Sequence, residues 1–342
     1  MKSVSLPEYY KHTYAVRTLL MQVKIAFLCL AHNNFEYLDK LADYYSSDGD
    51  QLFVHIDARV TNESPLNSNN KVILIPRNKR LASRWGTYQI VEASLALLNQ
   101  ALAADSFDYF ILISGADVPL LSKAELKTKL IHGHSYFSQW QCISSPVATK
   151  AADISEFSCS NHEQHKALFS EFFHRHHYQS WLTNPGEAYL TQQRWRIYAM
   201  LLANKFIARF PLKAKSYFTY SLYVKGSQWW GMTKALASYV SEQLADPKIN
   251  RQFKLMHAPD EKAIQTVAAN SPFVEQIIFD YEQSSLKQGL HFIDWGYQDE
   301  SKTLQLFSMG DIDKAIAAQC SFARKISPAQ QCDFIAFTQG LK

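Results

Sequence analysis

Cysteine is scarce in this 342-residue chain. Cys29, Cys142, Cys159, Cys320 and Cys332 form no CxxC pair and are odd in number. That excludes a disulfide framework as the organising device and makes a reducing compartment the expectation. Long apolar runs are missing too. The stretch from Leu19 to Ala31 is broken by Gln22 and Lys24 and is shorter than a membrane span. It also lacks a signal-peptide cleavage pattern. A soluble, cytoplasmic protein is expected. Surplus charge is small: a net +4 does not by itself argue for a nucleic-acid partner, and none is expected. There is no G-x-G-x-x-G, no P-loop and no G-x-S-x-G elbow, which counts against dinucleotide oxidoreductases, kinases and serine hydrolases. Internal repeats and low-complexity tracts are absent.

What is present is apolar and aromatic. Hydrophobic residues make up 47% of the chain and aromatic ones 13%, which excludes disorder and suits either a packed core or a sugar-stacking cleft. Val23 to Leu30 is a nearly continuous apolar run, as in a parallel strand covered on both faces. Asn34 is placed to cap a helix through Leu38, Leu41 and Tyr45. Leu52 to Asp57 reads as a second strand ending on an acid. Val72 to Ile75 reads as a third, stopped by Pro76. A helix from about Thr87 carries Ile90, Ala93, Leu97 and Leu98. Tyr109 to Ile113 is a fourth strand, and Ser122 caps the helix after it. This order predicts an open, mostly parallel α/β sheet with helices on both faces. Ligands bind such sheets at the carboxyl ends of the strands. Here those ends are Ala31-His32-Asn33, His55-Ile56-Asp57 and Ser114-Gly115-Ala116-Asp117. They fit turn chemistry and a nucleotide site equally well.

Met21 directly precedes the first strand pattern, so residues 1–20 read as an extension and 21–342 as a single domain. Within it, 21–140 forms a nucleotide-binding half, 141–225 a helical insertion facing the acceptor, and 226–342 the remainder. In the insertion, Trp195, Tyr198, Leu202 and Phe206 form a stripe at helical spacing beside Arg194, Arg196, Lys205 and Arg209. Core contact and a basic amphipathic helix on an anionic membrane surface both fit. After it, Gln228 to Thr233 is strand-like, and Lys234 to Leu244 is helical.

His257-Ala258-Pro259-Asp260-Glu261-Lys262 is the most informative stretch. Pro starts a turn or helix, and Ala263 onward can continue as one. The two carboxylates would then lie in the first helical turn, where the dipole favours their ionised form. They serve as acidic capping residues or, aimed into a cleft, as a general base toward a hydroxyl. Asp260 and Glu261 are neighbours whose side chains diverge, which speaks against a hydrolase using a flanking carboxylate pair.

Metal ligation is not expected. His162 and His165, and His174, His176 and His177, match no common ligand spacing. Nucleotide-sugar transferases often hold a cation with D-x-D. Of the two triplets here, Asp48-Gly49-Asp50 reads as a turn and Asp311-Ile312-Asp313 as a helix start. After the strand ending at Ile113, where such a triplet would sit, Gly115-Ala116-Asp117 offers one carboxylate. A diphosphate would therefore be met by side-chain cations, for which Lys302, Arg324 and Lys325 are the candidates. Arg324 and Lys325 also fit as the closing cations of a helix opened by Asp311.

Taken in order, these segments resemble glycosyltransferase family 14, the core-2/I-branching β-1,6-N-acetylglucosaminyltransferases and peptide O-xylosyltransferases. The likeness is colinear from about Lys24 to Lys325. It rests on Ala31-His32-Asn33, Phe53-Val54-His55-Ile56-Asp57 and Ser83-Arg84-Trp85-Gly86. Further along it rests on Tyr109 to Pro119, Gly226-Ser227-Gln228-Trp229-Trp230, Ala258-Pro259-Asp260-Glu261 and Phe322-Ala323-Arg324-Lys325. The resemblance implies a GT-A-like fold and inverting, metal-independent transfer from a UDP-sugar. Glu261 would be the catalytic base, with Ala31, His32, Asp57, Lys302, Arg324 and Lys325 on UDP. Trp85, Asp117, Ser227, Trp229, Trp230 and Asp260 would shape the donor-sugar and acceptor pocket. The Trp-Trp and Ala-Arg-Lys variants lean toward the xylosyltransferase-like branch, so the donor stands between GlcNAc and xylose.

No cofactor is implied, since the UDP-sugar is a substrate. The implied partners are that donor and a glycan or lipid-linked glycan acceptor, such as a bacterial surface glycan. Contact with the inner face of a membrane is a further expectation. The alternative is a non-catalytic carbohydrate- or nucleotide-sugar-binding protein of the same fold.

Overall fold

The computed structural model describes residues 23–61, 66, 71–83, 86–104, 106–144, 219–254, 256, 258–296 and 303–341. Its first half follows the hydrophobic pattern. Strand β1 (Ile25–Ala31) leads to helix α1 (Phe35–Tyr45), then β2 (Gln51–Ile56), β3 (Val72–Leu74), α2 (Gln89–Ala103) and β4 (Tyr109–Ser114). A short β5 (Val118–Pro119), α3 (Lys123–Leu130) and β6 (Ser135–Ser138) follow. Alternation along β1 divides the core in two. Ile25, Phe27 and Cys29 pack with Leu38, Leu41 and Tyr45 of α1. Ala26 and Leu28 pack with Leu97 and Leu98 of α2 on the other face. A strand buried on both faces must be apolar at every position, which is why β1 reads as an unbroken run.

The two ends of the insertion are β7 (Gln141–Ser144) and β8 (Leu222–Lys225), and past it come β9 (Gly231–Thr233), α4 (Lys234–Ala245) and α5 (Pro247–Lys254). The main sheet has seven strands in the order β10-β6-β9-β4-β1-β2-β3, where β10 is Ile277–Asp280. β1 pairs in parallel with β2 and β4, and β2 with β3, while β9 runs antiparallel to β4 and β6. The architecture is a GT-A-like α/β fold, a mostly parallel sheet flanked by helices. A second sheet, β11-β12-β13-β5, joins Lys287–Gln288, His291–Ile293 and Phe322–Arg324 to β5.

Register explains where the site must form. Ala31 lies opposite Ile56, and Leu30 opposite Ser114, so β1, β2 and β4 end at one edge. Because β9 runs the other way, its approach through Gln228 and Trp229 reaches that same edge. β13 pairs antiparallel with β5, Ala323 opposite Val118, and Ile326 N donates to Ala116 O at 3.0 Å. Arg324 and Lys325 are thereby carried to the ends of the parallel strands.

Several local expectations need correcting. Arg324 ends a strand and Lys325 follows it. The helix opened near Asp311 stops at Ala317, so these cations close no helix. Asp260 and Glu261 lie in a separate 3-10 turn, Pro259–Glu261, because Lys262 (φ −131°) breaks the backbone before the helix Ala263–Ala269 begins. The ends of the insertion are strands: β7 and β8 pair antiparallel, with Gln141 opposite Lys225. Residues 145–218, and with them the Trp195 stripe and the five insertion histidines, lie outside the described residues, as do residues 1–22. Asn34 does precede α1, but with left-handed backbone (φ 57°) and no side-chain cap. Ser122 caps α3 in a full capping box with Glu125.

Asp50 is more than a turn residue. It is buried, accepts from Ile25 N at 2.8 Å, and pairs with Lys123 at 2.6 Å and Lys127 at 3.2 Å. No described helix is long and apolar enough to cross a membrane. Cys29, Cys142, Cys320 and Cys332 are free thiols.

Candidate active site

A cleft of about 350 Å³ opens at the converging strand ends, lined among others by Ala31, His32, Asp57, Gln228, Trp229, Arg324 and Lys325. Its lip is built on β2. The Asp57 carboxylate receives Arg59 N and Nε at 2.9 Å each on Oδ1, and Arg59 Nη2 at 3.0 Å and Ser83 N at 2.9 Å on Oδ2. Burial works to raise its pKa, but the Arg59 and Ser83 bonds outweigh it and hold the carboxyl below its ordinary value. Asp57 thus arrives at the site already engaged with a guanidinium. Arg59 Nη2 also donates to Ser83 O at 2.7 Å, strapping the 81–83 segment over the strand end. His55 Nε2 accepts from Leu81 N at 2.9 Å, and burial lowers its pKa, so this ring is a neutral anchor for the same segment.

At the end of the neighbouring strand β1, His32 has its pKa lowered by burial first and then by the positive charge of Lys325, with Asp57 opposing. Beside it the β4 end turns at Gly115, where an added Cβ would lie 3.2 Å from Asn33 O and 3.4 Å from the Ala31 Cβ. The glycine lets two strand ends meet and leaves the cleft floor as bare backbone.

Beneath that floor is a buried ionic cluster. Asp117 is sealed from solvent. It receives Ser114 N at 2.7 Å and Ser114 Oγ at 2.6 Å, and lies 3.4 Å from both Arg324 Nε and His291 Nε2. Burial pushes its pKa up, but Arg324 leads the interactions that bring it below the usual carboxylate value. The Arg324 guanidinium lies 3.7 Å from the centroid of a Trp229 ring, and His291 lies 5.6 Å from Trp229 and 5.2 Å from Phe322 by ring centroids. Arg324 is therefore held between an anion and an aromatic face, which fixes one wall of the cleft.

The Pro259–Glu261 turn is tied to the 226–229 loop. Gly226 N donates to Glu261 O at 2.9 Å, and Gln265 Nε2 to Ser227 O at 2.6 Å and Asp260 O at 3.0 Å. Gly226 must be glycine, because a Cβ there would sit 1.8 Å from Ser138 O. Glu261 Oε2 lies 3.8 Å from Lys225 Nζ. Asp260 Oδ1 is buried with no hydrogen-bond partner among the described residues.

Burial, then the Glu261 charge, raises the Asp260 carboxyl to about 7. Its folded pKa thus lies above the unfolded value of about 4. Its contribution to stability is complete below that unfolded value and is lost as pH rises through about 7. Asp260→Asn should accordingly raise the thermal midpoint at pH 8 and change it little at pH 4.5. A midpoint difference that does not vary with pH would contradict this assignment.

Of the residues expected at the site, Ala31, His32, Asp57, Trp229, Arg324 and Lys325 line one cleft. Asp117, Ser227 and Trp230 are buried, and neither they nor Asp260 and Glu261 line this cleft. Trp85 and Lys302 lie outside the described residues. Arg59 and His291 were missed. Arg59 had a readable signal, a cation two residues after a strand-end Asp, where an Asx-type backbone bond forms. His291 had none, since only pairing of β12 with β13 brings it to Asp117. Among the described residues, no group of three or more His, Cys, Asp or Glu could hold a metal ion.

A cleft at the carboxyl ends of a GT-A-like sheet, walled by cations and an indole, has the form used by glycosyltransferases. Residues 25–153 match the family model Branch, described as Core-2/I-Branching enzyme. The match covers 129 of the 342 residues, those that carry β1 to β7, and the family it resembles there is one of glycosyltransferases. The match ends before Ser227, Glu261 and Arg324. Comparison with curated proteins gives no match.

Proposed function

We propose that the chain is an inverting glycosyltransferase that moves GlcNAc or xylose from its UDP-sugar to a hydroxyl of a glycan acceptor, forming a β-linkage without a divalent cation. The observation that carries this reading is the cleft, where Arg59, Arg324 and Lys325 line a single pocket with His32 and Trp229. Such a set suits a diphosphate attached to a base and a sugar. Lys325, beside His32, is the cation best placed for phosphate oxygens, while Arg324 serves partly to neutralise Asp117. Lys302 is assigned to the diphosphate by its sequence position.

In the reaction, Glu261 accepts the proton of an acceptor hydroxyl as its oxygen attacks the anomeric carbon. The bond from that carbon to the UDP oxygen breaks, and UDP leaves with the bonding pair. Side-chain cations aimed at the departing diphosphate stabilise the charge that grows there. The acceptor is a glycan or lipid-linked glycan, such as a bacterial surface glycan, and the setting is the cytoplasm or the inner face of a membrane.

Thermal shift with UDP, UDP-GlcNAc, UDP-xylose, UDP-glucose and UDP-glucuronate, all in EDTA, tests this directly. A ligand at a hundred times its Kd stabilises by about 2.7 kcal/mol. The expected outcome is a shift with UDP and a larger one with a single UDP-sugar. Silence with all five in EDTA, with shifts restored by manganese, would replace the metal-free reading with a metal-dependent one. Silence in both conditions would remove the UDP-sugar reading.

A further inference from the structure

Lys225 stands at the point where β8, the strand that returns from residues 145–218, meets the Pro259–Glu261 turn. Its backbone is fixed on every side. Gln141 pairs with it across the β7–β8 ladder, and Trp140 N donates to Lys225 O at 2.9 Å. The preceding residue, Val224, exchanges bonds with Thr266 Oγ1 at 3.0 and 3.2 Å, and Asn270 Nδ2 donates to Leu222 O at 2.8 Å. The following residue, Gly226, is held against Ser138 O and donates to Glu261 O. Strand and turn are thus one hydrogen-bonded body, and the side chains at its corner, Lys225 and Glu261, have little freedom to separate. Their charged ends lie 3.8 Å apart with only 16% and 28% of each side chain exposed, so their attraction is less screened than at an open surface.

We propose that Lys225 is a positioning residue for Glu261: it holds the carboxylate at the mouth of β8 in the orientation and charge state a general base requires. This rests on the reading of Glu261 as that base. Other charges also stand near Glu261. Asp260, its neighbour in the turn, is an acid. Lys262, which follows the turn, is fully buried. The helix α2, which packs against the turn, carries one charged residue, Glu92, and that pairs with Lys254 of α5 at 3.5 Å. An uncharged residue at 225 would take one cation from beside Glu261 while the Asp260 carboxyl stays next to it, and proton affinity would rise. The base would then be protonated over a wider range of pH, and its aim would loosen. The geometry also gives the strand leaving the insertion a direct hold on the catalytic turn, which a surface ion pair elsewhere would not.

The test is a carbon-13 NMR titration of protein labelled at the glutamate carboxyls, with the Glu261 signal identified by its loss in Glu261→Gln. In Lys225→Met the Glu261 midpoint should rise by roughly half to one pH unit, and Lys225→Arg should restore it. Lys225→Gln supplies a second uncharged variant should the Met form fail to fold. The acid limb of UDP release should move with the midpoint, while affinity for UDP stays within about twofold. A Glu261 midpoint unmoved in the uncharged variant overturns the proposal, whatever Glu261→Gln does to turnover. A moved midpoint together with full turnover in Glu261→Gln leaves the pair intact and sinks the base assignment alone. A loss confined to acceptor KM, with the midpoint unmoved, would make Lys225 a substrate contact instead.

Discussion

Replacing Glu261 by Gln should lower sugar transfer by about 10²–10⁴-fold while leaving UDP affinity nearly unchanged. The amide keeps the size of the side chain but cannot take a proton from a hydroxyl. The turn itself should survive, because Gly226 N bonds to the Glu261 carbonyl and Gln265 to that of Asp260, neither of which the substitution touches. The readouts are the rate of UDP release with acceptor present and the thermal shift given by UDP alone. Turnover near that of the wild type would take the proton-accepting role away from Glu261. The same variant has a second signature. The Glu261 charge is the next cause after burial of the raised Asp260 pKa, so Asp260 should titrate lower once that charge is gone.

Asp117→Ala is expected to be the most damaging single change to stability, by about 3–5 kcal/mol. It would strand Arg324, half-buried against the Trp229 ring, without its anion, and would leave Ser114 N and the Ser114 hydroxyl proton without their acceptor. For a domain of this size that amounts to a fall of roughly 10 °C in Tm. Combining it with Arg324→Met should recover part of the loss, since the uncompensated charge is then gone. If the double variant is no more stable than the single one, the penalty comes from packing and not from charge. The pH dependence has a defined sign. The Asp117 pKa is lowered in the folded protein, so its stabilisation is present above the ordinary aspartate value and disappears as pH falls through the folded one. Acid should erode the wild-type protein more steeply than the Ala variant.

Much of this molecule is legible in one dimension because its determinants are local. The apolar run at β1, the alternating burial that follows, and Ser122 with Glu125 all act within one element and its neighbours. Strand ends in a parallel sheet converge by topology, so Ala31, His32 and Asp57 could be gathered into one site before any distance was known. The failures share a cause. Arg324 also fits a helix terminus by local pattern, since a cation after a helical stretch often belongs there, yet β13 forms because β5 and β12 supply partners on either side. The Pro259–Glu261 turn is broken off from the next helix at Lys262, which is fully buried in the fold. The insertion read as helical, but its two ends pair as strands, a bond between positions 141 and 225 that no local pattern encodes.

The sequence by itself determined the class of the sheet and the edge at which its polar strand ends gather, because backbone propensity, burial period and turn chemistry are short-range. Only the tertiary structure decided which charges are spent on one another. Asp57 is engaged by Arg59, Asp117 lies with Arg324 and His291 beneath the cleft floor, and Glu261 faces Lys225. Electrostatic pairing depends on distance and desolvation in the folded protein, and neither is a property of the chain before it folds.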